Sequence, residues 1–324
     1  MMSIITNQPE PITTVIGCDS GNKLVKTAGS ITLAGIQKLP NRPAVAPPDP
    51  MDLLLINGQY YVVSNKRLAY ERDKSINENH LYLTLIAVAK EMQARHMNPT
   101  SKIVLAVGLP PGHMASAKLA QTYRDYFLKD GGVYRFQCGG VSHQITISDV
   151  IVCPQAYSIL LTLSPEIIRQ PSIHVVDIGG GTVDTVHLVN GRPDPNMSSL
   201  DMGVIPMYNS IQLRLQNEFG RRITEDQIDD IIKGKPGFFK PEHVRVVMEV
   251  AEAHVKAIFD EYREAGEDWM SSYVVFCGGG SILLKPFIEK YAAESTGSYV
   301  VVNDLKANAK GFETFARTLL KGQK

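Results

Sequence analysis

Short β-branched runs alternate along the chain with segments of helical period, the pattern of an α/β fold. Strands are expected at Thr14 to Cys18, Leu53 to Ile56, Tyr60 to Val63, Lys102 to Val107, His143 to Ile147, Asp149 to Val152, His174 to Asp177, Thr185 to Val189, Tyr273 to Phe276 and Tyr299 to Val302. Between them, Leu81, Leu85, Val88 and Met92 share one face of a helix over Leu81 to Arg95. Val244, Val247, Met248, Ala251, Val255 and Ile258 do the same over Pro241 to Tyr262, so both are core-packing helices. Thr224 followed by Gln227 has the spacing of a capping box and predicts a helix start. Pro40, Pro43, Pro47, Pro48 and Pro50 sustain neither helix nor ladder, so a surface loop is expected there, leading into a small peripheral insertion that ends near Tyr70.

One pattern occurs twice. An apolar strand ends in an acid and glycine at Val15-Ile16-Gly17-Cys18-Asp19-Ser20-Gly21-Asn22, and again at Val175-Val176-Asp177-Ile178-Gly179-Gly180-Gly181-Thr182. Apolar strands resume at Leu24 to Thr27 and at Val183 to Val189, so each glycine cluster sits at a hairpin tip and does not open a helix as in a Rossmann or Walker-A loop. Glycine-rich tips let backbone N–H groups approach an anion, and two opposed tips would clamp a polyphosphate. Asp19 and Asp177 repel phosphate on their own and make sense with a divalent cation between them; beside phosphates that is Mg²⁺ held largely through waters. A third run, Gly278-Gly279-Gly280-Ser281, follows a strand and is expected to precede a helix beginning at Ile282, where its backbone could pass close to a flat ring or a phosphate. Asp184 belongs either to the same pocket or to a structural strand end.

Composition changes this picture little. The chain has 324 residues, 33 Lys plus Arg against 33 Asp plus Glu, and is 44% hydrophobic, which suits about two soluble globular domains and argues against a basic nucleic-acid surface. No apolar run approaches the roughly 18 residues of a membrane span, and Met1 to Thr14 lack a basic segment followed by an apolar core, so a loose tail over residues 1–13 and a cytoplasmic protein are expected. Cys18, Cys138, Cys153 and Cys277 have no CxxC spacing and are expected to be reduced and buried. His113, His143, His174, His187 and His254 share no ligand spacing, and no metal role is assigned to them. Trp269 is expected in packing.

These motifs resemble, in order, the five of the actin, sugar-kinase and DnaK-type chaperone ATPase superfamily. Asp19 to Lys23 resembles the first phosphate loop, Asp149 to Ala156 the first connecting motif, Asp177 to Asp184 the second phosphate loop, Gly278 to Gly280 the adenosine motif, and Ala307 to Phe312 the second connecting motif. The chain looks most like ParM/StbA-type bacterial actins that segregate plasmids, and related archaeal actin-like proteins. The resemblance implies two actin-like (ribonuclease H-like) domains flanking a nucleotide cleft, one over 14–173 with the C-terminal helix 306–324 packing back on it, the other over 174–305.

Carried onto these positions, the resemblance implies that Asp19 and Asp177 hold Mg²⁺ through water, that Lys23 reaches the β-phosphate, and that Gln155 orients the attacking water without acting as a strong base. Ser20, Gly21, Asn22, Gly179, Gly180, Gly181, Thr182, Gly278, Gly279, Gly280 and Ser281 would contact the nucleotide, ATP or GTP, and base-contacting helix residues would fall near Gln212 to Glu218. Arg221 and Arg222 either flank that base pocket or are solvated. The implied function is a polymerising ATPase that segregates plasmid DNA through a DNA-binding adaptor at the ends of a head-to-tail filament, with neither direct DNA binding nor a membrane. A small-molecule kinase and a cell-shape or cell-division actin homologue are the alternatives. A DnaK-type chaperone is disfavoured because a substrate-binding domain has no room before Lys324.

Overall fold

The computed structural model describes residues 14–69, 73–114, 116–194 and 198–322; the expected tail over 1–13 lies outside them. The first nine strands are β1 (Thr14–Ser20), β2 (Leu24–Thr27), β3 (Ile31–Leu33), β4 (Ile36–Leu39), β5 (Leu53–Ile56), β6 (Gln59–Val63), β7 (Thr100–Leu109), β8 (Val133–Cys138) and β9 (Val141–Pro154). Six follow: β10 (Ser172–Ile178), β11 (Val183–Val189), β12 (Arg192–Pro193), β13 (Ser198–Leu200), β14 (Tyr273–Cys277) and β15 (Ser298–Val301). The helices are α1 (Asn79–Ala94), α2 (Pro111–Met114), α3 (Ala117–Leu128), α4 (Pro165–Ile168), α5 (Val204–Phe219), α6 (Glu225–Ile232), α7 (Pro241–Glu264), α8 (Gly278–Leu283), α9 (Lys285–Ser295) and α10 (Ala307–Gly322).

Two sheets result, with the order β3-β2-β1-β7-β9-β8-β5-β6-β4 in one and β12-β11-β10-β14-β15 in the other, where β13 also pairs with β11. Each contains a hairpin whose first strand lies parallel to a central neighbour: β1 on β2 and β7, β10 on β11 and β14. The repeated sequence pattern is therefore a repeated topology. Helix α1 is buried along most of its length, from His80 to Met92, because it lies wholly within the first core between the sheet and the segments outside it. Helix α10 covers the other face of the first sheet. It comes so close that a Cβ on Gly17 would lie 2.0 Å from the Ala309 carbonyl oxygen.

The second sheet buries Val176, Ile178 and Phe276 against α5, α6 and α7. Its other face packs Ile173, Val175 and Val275 against Ile159 and Leu160. Trp269 is part of the former core, and all four cysteines are free and buried. Among the described residues no helix is long and apolar enough to cross a membrane.

Three details differ from the sequence expectation. The segment after the proline loop is no separate insertion: β5 and β6 join the outer edge of the first sheet through β5–β8 pairing, and β4, which precedes the loop, pairs with β6. The two strands expected over 143–152 are one, β9, with a register shift where Ser148 is squeezed out of the ladder and bonds the Ile103 carbonyl at 3.0 Å. Strand β10 begins at Ser172, two residues before the expected domain boundary.

Candidate active site

The two hairpins face each other across a cavity of about 340 Å³ that also receives the start of α8 and Gln155 from the end of β9. In each hairpin the acid at the end of the first strand stands directly opposite a residue of the second: Asp19 opposite Lys26, and Asp177 opposite Asp184. Directly opposed residues in an antiparallel pair share a face, so both pairs project into the cavity they line.

In the first hairpin Lys26 Nζ lies 2.7 Å from Asp19 Oδ2. Burial works against the Lys26 ammonium, but Asp19 more than offsets it and holds its pKa above the ordinary lysine value. Gln155 Nε2 is 3.5 Å from Asp19 Oδ1. Lys74 enters from the segment before α1 and donates to the Ser20 carbonyl; burial, with Lys26 nearby, lowers its pKa although Asp19 pulls the other way.

In the second hairpin burial raises Asp177 to about 6, against the Asn308 Nδ2 donor at 2.6 Å. Burial also raises Asp184 to about 7, with Asp177 adding to it, while Ser199 and Thr182 donate to its carboxylate. The loop between these strands is set by α5, whose first amides (Gly203, Val204 and Ile205) donate to the carbonyls of Gly181, Gly179 and Gly180 at 2.9–3.1 Å. A trans peptide points its N–H opposite its C=O, so the N–H groups of Gly180, Gly181 and Thr182 are turned toward the cavity lined by these residues.

Gly278 closes this wall in a left-handed conformation, φ +87°. A Cβ there would lie 2.1 Å from Asp177 Oδ1, so only glycine lets the backbone approach that carboxylate.

Of the residues expected at the site, Asp19, Gly21, Asn22, Lys23, Gln155, Asp177, Gly179, Gly180, Gly181, Thr182, Gly278, Gly279 and Gly280 line this one cavity. The others differ. Ser20 turns its hydroxyl to His80 Nδ1 at 3.2 Å, and Ser281 donates to the Cys277 carbonyl at 2.5 Å, so neither side chain reaches the cavity. The glycine run does not precede the helix; it forms the first turn of α8.

Lys23 stands in the wall, but its ammonium reaches away from Asp19, to Asp229 Oδ2 at 2.8 Å and Tyr208 OH at 2.7 Å. Hairpin register explains it: the residue set opposite Asp19 is Lys26 of β2, and Lys23 lies in the turn before that strand.

Sequence reasoning also missed Lys74, Asn308, Tyr208, Asp229, Lys233 and His113 in the lining. Helix α5 contributes Val204 and Tyr208, not residues 212–218. Arg221 lies outside the cavity over the Phe239 ring at 5.5 Å, and Arg222 is exposed. For Lys26 and Asn308 a signal existed in the hairpin register and in the second connecting motif; the rest depend on tertiary approach.

Residues 17–157 match the family model for the N-terminal domain of actin-like proteins, and residues 175–290 match that for the C-terminal domain of archaeal actin homologues, MreB-like. The chain belongs to the actin-like proteins. Its fold is shared by Ta0583, an archaeal actin homologue in complex with ADP, at 18% identity and TM-score 0.74 over 94% of this chain and 100% of that one. It is shared by the apo pSK41 ParM protein at 16% identity and TM-score 0.67, covering 96% of this chain and 98% of that one. Bacillus thuringiensis ParM with AMPPNP matches at 13% identity and TM-score 0.61 over 96% and 99% of the two chains. No curated protein sequence matches the chain. This actin-like chain thus keeps the two-domain α/β architecture that its sequence pattern predicts.

Proposed function

We propose that this actin-like chain is an ATPase that assembles head to tail into filaments with ATP and Mg²⁺, hydrolysis controlling filament stability. The observation that carries this is the convergence of Asp19, Asp177 and Gln155 on one cavity whose second loop turns three amides inward. What supports the reading in kind is what structural relatives were found with: Ta0583 with ADP, Bacillus thuringiensis ParM with AMPPNP and with ATP, and Alp12 as a filament.

The residues fit a Mg²⁺-nucleotide. Three carboxylates, Asp19, Asp177 and Asp184, offer only oxygen donors, the preference of a hard cation that keeps several waters. Asp19 and Asp177 are the holders, through water. The inward amides of Gly180, Gly181 and Thr182, with Lys26 and Lys74, suit phosphate oxygens. Bound Mg²⁺-ATP supplies the phosphoanhydride to be cleaved and neutralises its developing charge. Gln155, an uncharged amide, orients a water and takes no proton from it. Its burial (9% exposed) excludes competing solvent.

A heterologous contact whose rotation does not close makes an open filament. Light scattering and electron microscopy on addition of ATP and Mg²⁺, with no second substrate, test this reading: filaments are expected. Turnover that instead requires an added hydroxyl or carboxylate acceptor, without assembly, would make the chain a small-molecule kinase. The cargo we propose is plasmid DNA, held through a basic adaptor at the filament end in the cytoplasm. Equal numbers of Lys plus Arg and Asp plus Glu, 33 each, favour that indirect contact. The protein alone is expected not to retard duplex DNA at physiological salt, and to do so with the adaptor and ATP.

A further inference from the structure

The register that opposes Asp177 to Asp184 at the cleft also opposes His174 to His187 three residues away on each strand. That is about 10 Å along β10 and β11, and an odd offset places the histidines on the opposite face of the sheet, beside Trp269 at 6.3 Å from the His174 ring. The two imidazoles stack at 4.0 Å with planes 5° apart. Glu267, in the loop after α7, brings Oε2 to 3.4 Å from His174 Nδ1, and Asp194 Oδ2 lies 4.0 Å from His187 Nδ1.

A chain of hydroxyls fixes which nitrogen of His187 is available. Ser272 Oγ donates to the Asp268 carbonyl at 2.8 Å, which leaves Ser172 to donate to Ser272 Oγ at 2.7 Å. Ser172 Oγ therefore accepts from His187 Nε2 at 3.0 Å. With Nε2 committed as the donor, Nδ1 is the atom that takes a cation. This is the arrangement of a ligating histidine, whose second ring nitrogen is held by an outer partner. His174 is 1% exposed, and its Nδ1 has no hydrogen-bond partner although Glu267 stands beside it.

We propose that His174, His187 and Glu267 form a binding site for a divalent transition-metal ion of the Zn²⁺ class, separate from the nucleotide cleft. Their ligand atoms already lie within 4.8 Å of one another. Two imidazoles and one carboxylate suit a borderline ion and are poorly matched to Mg²⁺ or Ca²⁺. Parallel rings hold their lone pairs side by side, so binding tilts the half-buried His187 ring about its Nε2–Ser172 hydrogen bond, while buried His174 stays. The bound ion ties β10 and β11 to the loop after α7.

The experiment uses the full chain, stripped with chelator and returned to excess Mg²⁺ so that the cleft carboxylates are occupied by their own ion. Calorimetric titration with Zn²⁺ is expected to show one ion per chain, and Co²⁺ in its place to give the intense visible bands of a four-coordinate site. His187→Ala and Glu267→Gln are each expected to weaken Zn²⁺ binding at least about tenfold, since even outer partners of metal ligands are worth that much. Both positions are partly exposed, and unchanged circular dichroism reports an intact fold. A wild-type chain that binds no Zn²⁺, or two folded variants that bind it as tightly as wild type, overturns the assignment.

Discussion

The two cleft hairpins are built alike and charged differently. Both end their first strand in a buried aspartate opposed across the ladder, but Asp19 meets Lys26 whereas Asp177 meets Asp184. The opposed pair of the first hairpin is therefore neutral by itself. The second concentrates two acids in a buried pocket, and its carboxyls rise to about 6 and about 7. The lesson is a division of labour: one wall carries its own counter-charge, and the other is unfinished until a proton or a cation arrives. A ligand bringing both phosphates and a divalent cation satisfies both walls at once.

The largest expected effect comes from removing the counter-charge of the first wall. Lys26→Met leaves Asp19, 3% exposed, without its ion-pair partner. Stranding a buried charge costs about 3–5 kcal/mol, so thermal unfolding of the nucleotide-free protein should drop by many degrees. A melting temperature unchanged from wild type would mean that the Asp19–Lys26 pair contributes nothing to the folded state.

Next in size is turnover. Gln155→Ala and Asp177→Ala are each expected to lower Mg²⁺-dependent ATP hydrolysis by about 100-fold or more, the usual loss when a group placed for the transition state is removed. Nucleotide binding should survive in the Gln155 variant, because both hairpins remain. Filaments of Gln155→Ala should then persist where wild-type filaments decay. Unchanged hydrolysis in both variants would remove these residues from the chemistry.

The second wall predicts a change of opposite sign. Asp184 has a folded pKa above its unfolded value, so the folded chain binds more protons between about pH 4 and 7 and loses stability as pH rises through that window. In chelator and without nucleotide, Asp184→Asn should remove that decline and leave the protein more stable than wild type at pH 8, by on the order of 1–3 kcal/mol. Parallel melting curves from pH 5 to 8 for both proteins would show that ionising buried Asp184 costs the fold nothing.

How far the sequence alone reaches follows the same division. The strands, α6 with its capping box of Thr224 and Gln227, and the position of the two acids depend on local period and turn chemistry, which a sequence displays directly. The motif points to Lys23 and passes over Lys26, because a run of residues does not show which of two nearby lysines the hairpin register sets opposite Asp19. Lys74, Tyr208 and Asp229 come from elements far away in the chain, and only packing brings them to the cleft. The His174–His187 pair has no ligand spacing in the sequence. Thirteen residues apart in sequence, they are made neighbours by an antiparallel ladder.

The smallest expected effect separates the two lysines. Lys23 leaves the first hairpin and crosses the cleft to Asp229 of α6, with Tyr208 also holding its ammonium, and Arg67 makes a second crossing to Glu225 of the same helix at 2.9 Å. These side chains are partly exposed, about one-fifth for Lys23, and solvent screens such pairs to about 0.2–1 kcal/mol. Lys23→Ala should therefore lower the melting temperature by only a degree or two, and change ATP affinity less than about threefold, while Lys26→Met loses far more of both. Because Lys23 joins the two domains, its loss should appear instead as faster hydrogen exchange in α6. A tenfold or greater fall in ATP affinity would show that Lys23 leaves Asp229 for the phosphates when nucleotide binds, and the first wall would then bring two counter-charges to the ligand.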